Sequence, residues 1–190
     1  MPKINIFIII TLSFLYSEYN YSLEDLNSSS EFYGTNVGPY YFSNEVTIHY
    51  FGHYGWGECT QRFGELNQIY ENLLTNNLNQ VKLIGIGKTD QGGSMLPNWT
   101  TNGEDAHISS VCGEEFPWDT WTTWGAEQRD LYILDHLGNL VLHQNVTDGL
   151  PNELQNFLIT LITNINLDPI NGDLNEDGLI NIADVILLAN

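Results

Sequence analysis

The chain has 190 residues, enough for one domain of ordinary size and a small appendage. Hydrophobic residues make up 42% of it and aromatic residues 12%, which favours a packed core over disorder. There are 24 Asp and Glu but only 5 Lys and Arg, so the formal net charge is −19. Such an acidic chain repels the phosphate backbone of nucleic acids and attracts divalent cations, which argues against nucleic-acid binding.

The N-terminus has the pattern of an export signal. Lys3 supplies a positive charge, and residues 4–15 form an apolar run whose length suits a signal-peptide core. The run is too short to cross a bilayer, which takes roughly 20 apolar residues. We therefore predict a signal peptide over residues 1–17 and a mature protein without a membrane span, secreted or otherwise extracytoplasmic, in the periplasm or at the cell surface. The alternatives are a buried strand and an uncleaved anchor.

The segment after this signal predicts an arm, a strand, a helix and a second strand. Residues 18–36 are polar and rich in Ser, Asn and Tyr, and residues 18–42 are interpreted as a linker or loose N-terminal arm. Residues 46–54 are β-branched and aromatic, as expected for a central strand. Apolar residues then recur at helical spacing over residues 57–77, which predicts an amphipathic helix. A short apolar strand is expected at residues 81–87.

The second half of the chain predicts a strand, a hairpin and a closing helix. After a Gly- and Asn-rich loop, a strand is expected at residues 107–112, followed by a tryptophan-rich segment with helical character. Residues 130–146 contain two apolar strands joined by a turn, which is typical of a β-hairpin. Pro151 then opens a last helix with one apolar face. This order of elements favours an α/β fold, a thioredoxin-like sheet flanked by helices.

A calcium-binding loop is predicted near the end of the chain, after a linker over residues 164–172. The sequence DLNEDGLINIAD has oxygen-bearing side chains at its first, third, fifth, ninth and twelfth positions, and glycine at its sixth, where such a loop turns sharply. Calcium takes about six to eight oxygen ligands, so this spacing suits one ion. The alternative is an Asp- and Asn-rich turn without a metal. The expected ligands are Asp173, Asn175, Asp177, the carbonyl of Leu179, Asn181 and Asp184.

This loop and the apolar helix predicted after it resemble a dockerin type I repeat. Pro169 and Gly172 stand where an EF-hand would have its entering helix, and a dockerin repeat has only the exit helix. The family carries two repeats, and residues 173–190 hold one, so we expect a half-dockerin or a chain that continues past Asn190. The resemblance implies calcium as a cofactor and a cohesin-type or other docking partner.

The body of the chain resembles the N-terminal, thioredoxin-like domain of the selenoprotein P family. The resemblance is carried by SNEVTIHYF from Ser43, by HIS at residues 107–109, and above all by DTWTTWGAEQRDLYILDHLGNLVLH at residues 119–143. It covers roughly residues 43–162 and implies a thioredoxin-like domain over residues 43–163.

The same resemblance implies a redox site where the central strand meets the first helix. In this family a selenocysteine or cysteine occupies the position of Trp56, three residues before the cysteine that corresponds to Cys59. The helix N-terminus there favours a thiolate. An indole cannot exchange disulfides, so we predict an inactive site as written, and a thiol or selenol oxidoreductase if position 56 is cysteine or a UGA-encoded selenocysteine. The loop at residues 127–129 lacks the proline that many thioredoxin-like proteins carry before the next strand.

The two cysteines, Cys59 and Cys112, are candidates for a disulfide. Cys112 ends a strand expected to run parallel to the central strand, and parallel strands direct their C-terminal ends toward the side where the first helix begins. Two nearby thiols in an oxidising compartment tend to pair. The alternative is two separate buried thiols that act as small hydrophobic residues.

Three further groups of residues have both a structural and a functional interpretation. Trp118, Trp121 and Trp124 recur every three residues, which favours core between helix and sheet over a sugar-stacking strip. His49 and His53 are four apart near a strand end, a weak pattern for a metal pair because no third ligand accompanies it. Two acidic doublets suggest paired catalytic carboxylates, but chance explains them in so acidic a chain: Glu104–Asp105 and Glu114–Glu115.

Two functions agree with these patterns. The first is an exported redox-type protein, attached through its calcium-binding repeat and served by an unidentified redox partner. The second is a non-catalytic scaffold or binding protein, docked through the dockerin repeat to an extracellular assembly. Dockerins commonly attach enzymes to polysaccharide-degrading complexes, so such an assembly is the expected kind. The codon at position 56 discriminates the two, because UGA favours the redox protein and UGG the scaffold.

Overall fold

The computed structural model describes residues 18–91, 96–100 and 107–165. The predicted signal peptide, the predicted calcium loop and the doublet Glu104–Asp105 lie outside the described residues. Among the helices of the described ranges, none combines the length and the apolar character that a membrane crossing requires.

The molecule is built on a five-stranded mixed sheet with helices on both sides. The strands are β1 (Leu23–Glu24), β2 (Asn36–Val37), β3 (Val46–Gly52), β4 (Val81–Lys88), β5 (Ser110–Glu114), β6 (Asp130–Leu134) and β7 (Leu140–Asn145). The helices are α1 (Gly57–Thr75), α2 (Pro97–Thr100), α3 (Asp119–Trp124) and α4 (Leu154–Ile165). The sheet order is β5-β4-β3-β6-β7, with β4 parallel to β3 and β5, and β6 antiparallel to β3 and β7. The predicted α/β sheet flanked by helices is confirmed.

Strand β3 lies at the centre of the sheet, and every residue of it is buried. Side chains alternate between the two faces of a strand, so neighbouring residues enter different cores. Ile48 and Tyr50 belong to the core beneath α1, whereas Phe51 belongs to the core on the other face. The uninterrupted burial of residues 46–52 thus reflects cover on both faces, which is typical of an inner strand in a sheet with helices on both sides.

Helices α1 and α4 cover the first face. The buried side chains of α1 recur at helical spacing, as predicted, and those of α4 do the same. Fully burying a Leu, Ile or Phe side chain stabilises the fold by roughly 1.5–3 kcal/mol, so these stripes hold both helices against the sheet. The stripes consist of Cys59, Phe63, Leu66, Asn67, Tyr70 and Leu73 in α1, and Leu154, Leu158 and Ile162 in α4.

The second face is covered by α3 and, unexpectedly, by the N-terminal arm. Strands β1 and β2 form a small antiparallel pair, and Leu26 N donates to Val111 O at 2.8 Å along the edge of β5. Tyr21, Val37 and Phe42 from the arm are buried in the second core. The prediction of a loose arm is therefore wrong. The strands of the arm are only two residues long, too short to show the alternating pattern of a longer strand. Its contacts are with residues distant in sequence, so its polar composition did not indicate that it packs on the sheet.

Candidate redox site

Position 56 lies at the point where β3 leaves the sheet and α1 begins. Strand β3 ends at Gly52, and Trp56 is the residue that caps the helix, with extended backbone angles. Its carbonyl accepts the first helical hydrogen bond, from Thr60 N at 3.0 Å. Its indole is 52% exposed and stacks on the His53 ring with the centroids 5.2 Å apart. A side chain at position 56 is therefore open to solvent at a helix N-terminus, where the backbone dipole favours negative charge.

Cys59 lies one turn further along α1 and is fully buried. Cys59 is the third residue of α1, so both positions lie in the first turn of the helix. Tyr50 in β3 donates its hydroxyl to Cys59 O at 3.2 Å, and burial raises the pKa of that phenol well above its usual value. The structure thus places both predicted site residues at the start of α1, one exposed and one buried.

The loop before β6 contacts the Cys59 sulfur directly. Gln128 Nε2 donates to Cys59 Sγ at 3.1 Å, and Arg129 Nη1 lies 4.0 Å from the same sulfur. Arg129 adopts a left-handed backbone conformation with φ of 69°, and its amide donates to Phe51 O at 2.8 Å. This is the loop that lacks the expected proline. In place of a proline, the polar side chains of Gln128 and Arg129 lie beside the Cys59 thiol.

Arg129 connects the sulfur to a small charged network. Its Nη1 forms an ion pair with Glu58 Oε2 at 3.3 Å, and its Nε donates to Thr147 Oγ1 at 2.9 Å. Arg62 forms an ion pair with Glu65 and donates from Nη2 to Thr147 O at 3.3 Å. Both arginines of this acidic chain thus converge on one end of the sheet. The resemblance drew attention to the loop at residues 127–129 for its missing proline, but nothing in the sequence identified Gln128 and Arg129 as contacts of the Cys59 sulfur.

The predicted pairing of Cys59 with Cys112 is not formed. Both thiols are free and buried, and they belong to different cores on opposite faces of the sheet. Strand alternation explains the separation, because Val111 points to the α1 side and Cys112 therefore points away from it. The Cys112 sulfur lies 3.8 Å from Leu23 O, and burial, with Asp25 nearby, raises the pKa of this thiol well above its ordinary value. The cysteines agree with the alternative of two separate buried thiols.

The histidines predicted as a weak metal pair have separate structural surroundings. His49 is buried, and its ring nitrogens contact Tyr21 Oη at 2.8 Å and Thr47 Oγ1 at 2.9 Å. Burial lowers the pKa of His49 to about 3, so the ring is neutral at physiological pH. His53 Nδ1 accepts from Gly55 N at 3.0 Å. Across the described ranges, no cluster of three or more His, Cys, Asp or Glu side chains is arranged to hold a metal.

The tryptophans and the described acidic doublet take structural positions. Trp121 and Trp124 are buried in the second core, as the core interpretation predicts. Trp118 is half-buried, and Lys88 Nζ lies 4.3 Å from its ring centroid. Glu114 is buried, and its carboxylate accepts from the Thr120 and Trp121 amides at 2.7 and 3.3 Å. This carboxylate therefore satisfies two of the amides that have no partner within the first turn of α3.

Comparison with known proteins gives no match to a family model and none to a curated protein. Solved structures do match. A secreted disulfide oxidoreductase of Mycobacterium tuberculosis, homologous to E. coli DsbE, is 12% identical with a TM-score of 0.52, covering 77% of this chain and 96% of that one. BsSco, of the Sco family of cytochrome c oxidase assembly proteins, is 12% identical with a TM-score of 0.60, covering 80% and 94%.

A third similar structure is the mitochondrial 2-cys peroxiredoxin of Plasmodium falciparum. It is 19% identical with a TM-score of 0.58, and the match covers 80% of this chain and 94% of that one. At such low identities the likeness establishes the fold alone, and any activity has to be inferred from the residues of the site. The chain therefore has a thioredoxin-like fold, in which position 56 and Cys59 lie at the junction of the central strand and the first helix.

Proposed function

We propose that this protein is an exported, thioredoxin-fold redox protein whose reactive pair is position 56 and Cys59. The observation that carries the proposal is the arrangement of that pair. Position 56 is exposed at the N-terminus of a 19-residue helix, and Cys59 is buried one turn below it. An exposed attacking group and a buried second thiol are the two parts that disulfide exchange requires.

The identity of residue 56 decides whether the pair is active. Trp56 offers no sulfur or selenium, so the chain as written does not exchange disulfides. The resemblance to selenoprotein P supports a UGA codon here that encodes selenocysteine. A selenolate or thiolate at this position would gain from the helix dipole. Sequencing the gene across this codon separates the redox protein from the scaffold, since UGG would remove the basis for the redox assignment.

Two lines support a redox ancestry and an extracytoplasmic location. The structural neighbours include proteins described as disulfide oxidoreductase and as thiol:disulfide interchange protein, one of them secreted. The apolar run at residues 4–15 suits a signal peptide. An oxidising compartment is also where disulfide substrates persist.

The proposal is tested by insulin reduction with dithiothreitol as the source of electrons. The Trp56→Cys variant is expected to reduce insulin well above background, whereas the chain as written stays at background. Two controls isolate the pair: Trp56→Ser, which exposes the site without a thiol, and Trp56→Cys combined with Cys59→Ser. If Trp56→Cys is folded and no faster than Trp56→Ser, position 56 is not the attacking position.

We further propose that residues 173–184 bind one calcium ion and form part of an attachment module of the dockerin kind. The support is the spacing of oxygen-bearing residues in DLNEDGLINIAD. Docking to a cohesin-type partner would tether the redox domain to an extracellular assembly. Calorimetric titration of the full chain is expected to show one calcium site that Asp173→Ala with Asp177→Ala abolishes. Unchanged calcium uptake by that double variant, with Glu153→Ala as a surface control, would refute the site.

A further inference from the structure

The two arginines of the chain converge at the redox end of the sheet. Arg62 Nη2 donates to Thr147 O at 3.3 Å, and Arg129 Nε donates to Thr147 Oγ1 at 2.9 Å. Arg129 also lies beside the Cys59 sulfur, with its Nη1 4.0 Å away. In a chain with a formal net charge of −19, two of the five basic side chains thus meet at one residue. Two guanidinium groups so placed repel each other, which favours a negatively charged group beside them.

Two glutamates supply part of that negative charge. Glu65 pairs with Arg62 along the helix, and Glu58 Oε2 lies 3.3 Å from Arg129 Nη1. The Glu58 side chain is 78% exposed, and an ion pair in water contributes little to stability. Glu58 therefore shows that a carboxylate fits beside Arg129, and a second carboxylate can displace it.

Arg129 also has hydrogen-bond donors to spare. Its Nε donates to Thr147 and its Nη1 faces Glu58, whereas its Nη2 meets no acceptor among the residues that the structure describes. A carboxylate binds a guanidinium best across two nitrogens, in a bidentate arrangement. The backbone of Arg129 is held by the hydrogen bond from its amide to Phe51 O, so the side chain starts from a fixed point. The Nη1 and Nη2 edge is thus a ready place for a carboxylate.

We propose that Arg129, supported by Arg62, recognises a carboxylate of a small thiol or disulfide that reacts at the redox site. This inference rests on the proposed function and names its substrate class. Glu58 indicates the reach, because it lies two residues after position 56 and its side chain spans the distance to Arg129. A substrate whose sulfur is held at position 56 reaches the same guanidinium when its carboxylate lies a few bonds from that sulfur.

The exposure and charge of the site favour a small molecule over a protein surface. Only 17% of each arginine side chain is exposed, which leaves room for a carboxylate but not for a broad contact. The net charge of the chain also repels an acidic protein more strongly than it repels a small anion with one or two charges. The same net charge and the competing Glu58 weaken the binding of the small anion.

The recognition is tested in the protein that still has Trp56, with S-methylglutathione, which carries two carboxylates and cannot exchange disulfides. Titration calorimetry is expected to show binding. The diethyl ester of the same molecule should bind on the order of tenfold more weakly, because it loses the charge-assisted hydrogen bonds. Arg129→Met should lower the affinity by a similar factor and Arg62→Met by less. Glu58→Gln should raise it by removing the competing carboxylate, and Lys82→Met, a basic position elsewhere, should leave it unchanged.

Three results of this titration would overturn the proposal. The first is no measurable binding of S-methylglutathione. The second is equal affinity for S-methylglutathione and its diester, a comparison that needs no variant and so does not depend on folding. The third is unchanged affinity in Arg129→Met when its circular dichroism matches that of the unaltered protein.

The Trp56→Cys variant separates this inference from the proposed function. With oxidised glutathione, the sulfur at position 56 displaces one glutathione and Cys59 then displaces the other. Each glutathione leaves with the electron pair of its broken bond and takes the proton that the attacking thiol gave up, so the disulfide gains two electrons and the protein pair loses two. Arg129→Met should slow this reaction about tenfold but should not slow the reaction with bis(2-hydroxyethyl) disulfide, which carries no charge.

The two disulfides give distinguishable failures. If the Trp56→Cys variant reacts with both and Arg129→Met slows neither, the carboxylate recognition is refuted and the redox site stands. If the variant reacts with neither while S-methylglutathione still binds through Arg129, the proposed function is refuted and the carboxylate site stands.

Discussion

The two cysteines have the same chemistry and the same burial but opposite surroundings. Each is completely shielded from solvent. Cys59 meets an amide and a guanidinium at the end of the sheet where β3 leads into α1. Cys112 meets the carbonyl of Leu23 on the opposite face, near the buried carboxylate of Asp25. Donors surround one sulfur and acceptors the other.

This difference shows that burial alone does not decide what a thiol can do. Hydrogen-bond donors and positive charge stabilise a thiolate, and acceptors and negative charge oppose it. The surroundings of Cys112 raise its pKa, which suits a structural residue that packs and stays inert. On the face beneath α1, polar side chains contact the cysteine sulfur. On the face beneath the arm, the cysteine is buried in an aromatic core.

Removing a buried aromatic side chain of the arm is expected to lower the stability of the protein more than any other change considered below. Phe42 is 3% exposed and packs edge-on against Phe32 with the centroids 4.9 Å apart. Phe42→Ala should lower the free energy of unfolding by about 3–5 kcal/mol, measured by urea denaturation. Tyr33→Ala, an exposed position on the same arm, is the matched control and should change it by less than about 0.5 kcal/mol. Equal stability of both variants would mean that the arm does not hold the second face.

The next effect is the difference in reactivity between the two thiols. Brief opening of the half-buried Gln128 side chain uncovers the Cys59 sulfur, whereas exposure of Cys112 requires the arm to detach. Iodoacetamide should therefore modify Cys59 on the order of 100 times faster than Cys112 at neutral pH. Peptide mapping of samples taken over time measures the two rates. Phe42→Ala should narrow the ratio by exposing Cys112. A faster reaction at Cys112 in the unaltered protein would reverse the assignment of the two faces.

Near neutral pH, a smaller effect comes from the acid sensitivity that His49 gives to the second face, less than about 1 kcal/mol at pH 6. Its folded pKa of about 3 lies below the ordinary value of 6.5, so the unfolded chain takes up the proton first as pH falls. Stability from the neutral ring is complete above about pH 6.5 and declines toward pH 3, with a slope of about 1.4 kcal/mol per pH unit. Urea denaturation at a series of pH values measures this slope, and His49→Gln should remove the part that His49 contributes, whereas an unchanged slope in that variant would contradict the prediction.

Sequence patterns predicted the helices and strands in which apolar residues recur at a regular spacing. The apolar stripe of α1 and the β-branched run of β3 identified the central strand and helix, because burial imposes a period on each. The junction at position 56 and Cys59 followed from a resemblance. The contact of Gln128 and Arg129 with the sulfur did not, because it joins α1 to a loop about seventy residues further along the chain. The packed arm was missed for the same reason.

The pairing of position 56 with Cys59 is tested most directly by the disulfide that it should form. The Trp56→Cys variant is equilibrated with oxidised glutathione, its remaining thiols are alkylated, and its peptides are mapped by mass spectrometry. A bridge between position 56 and Cys59 is expected, with Cys112 recovered as an alkylated thiol. A bridge that includes Cys112, or glutathione held at position 56 while Cys59 stays a free thiol, would contradict the proposed pairing.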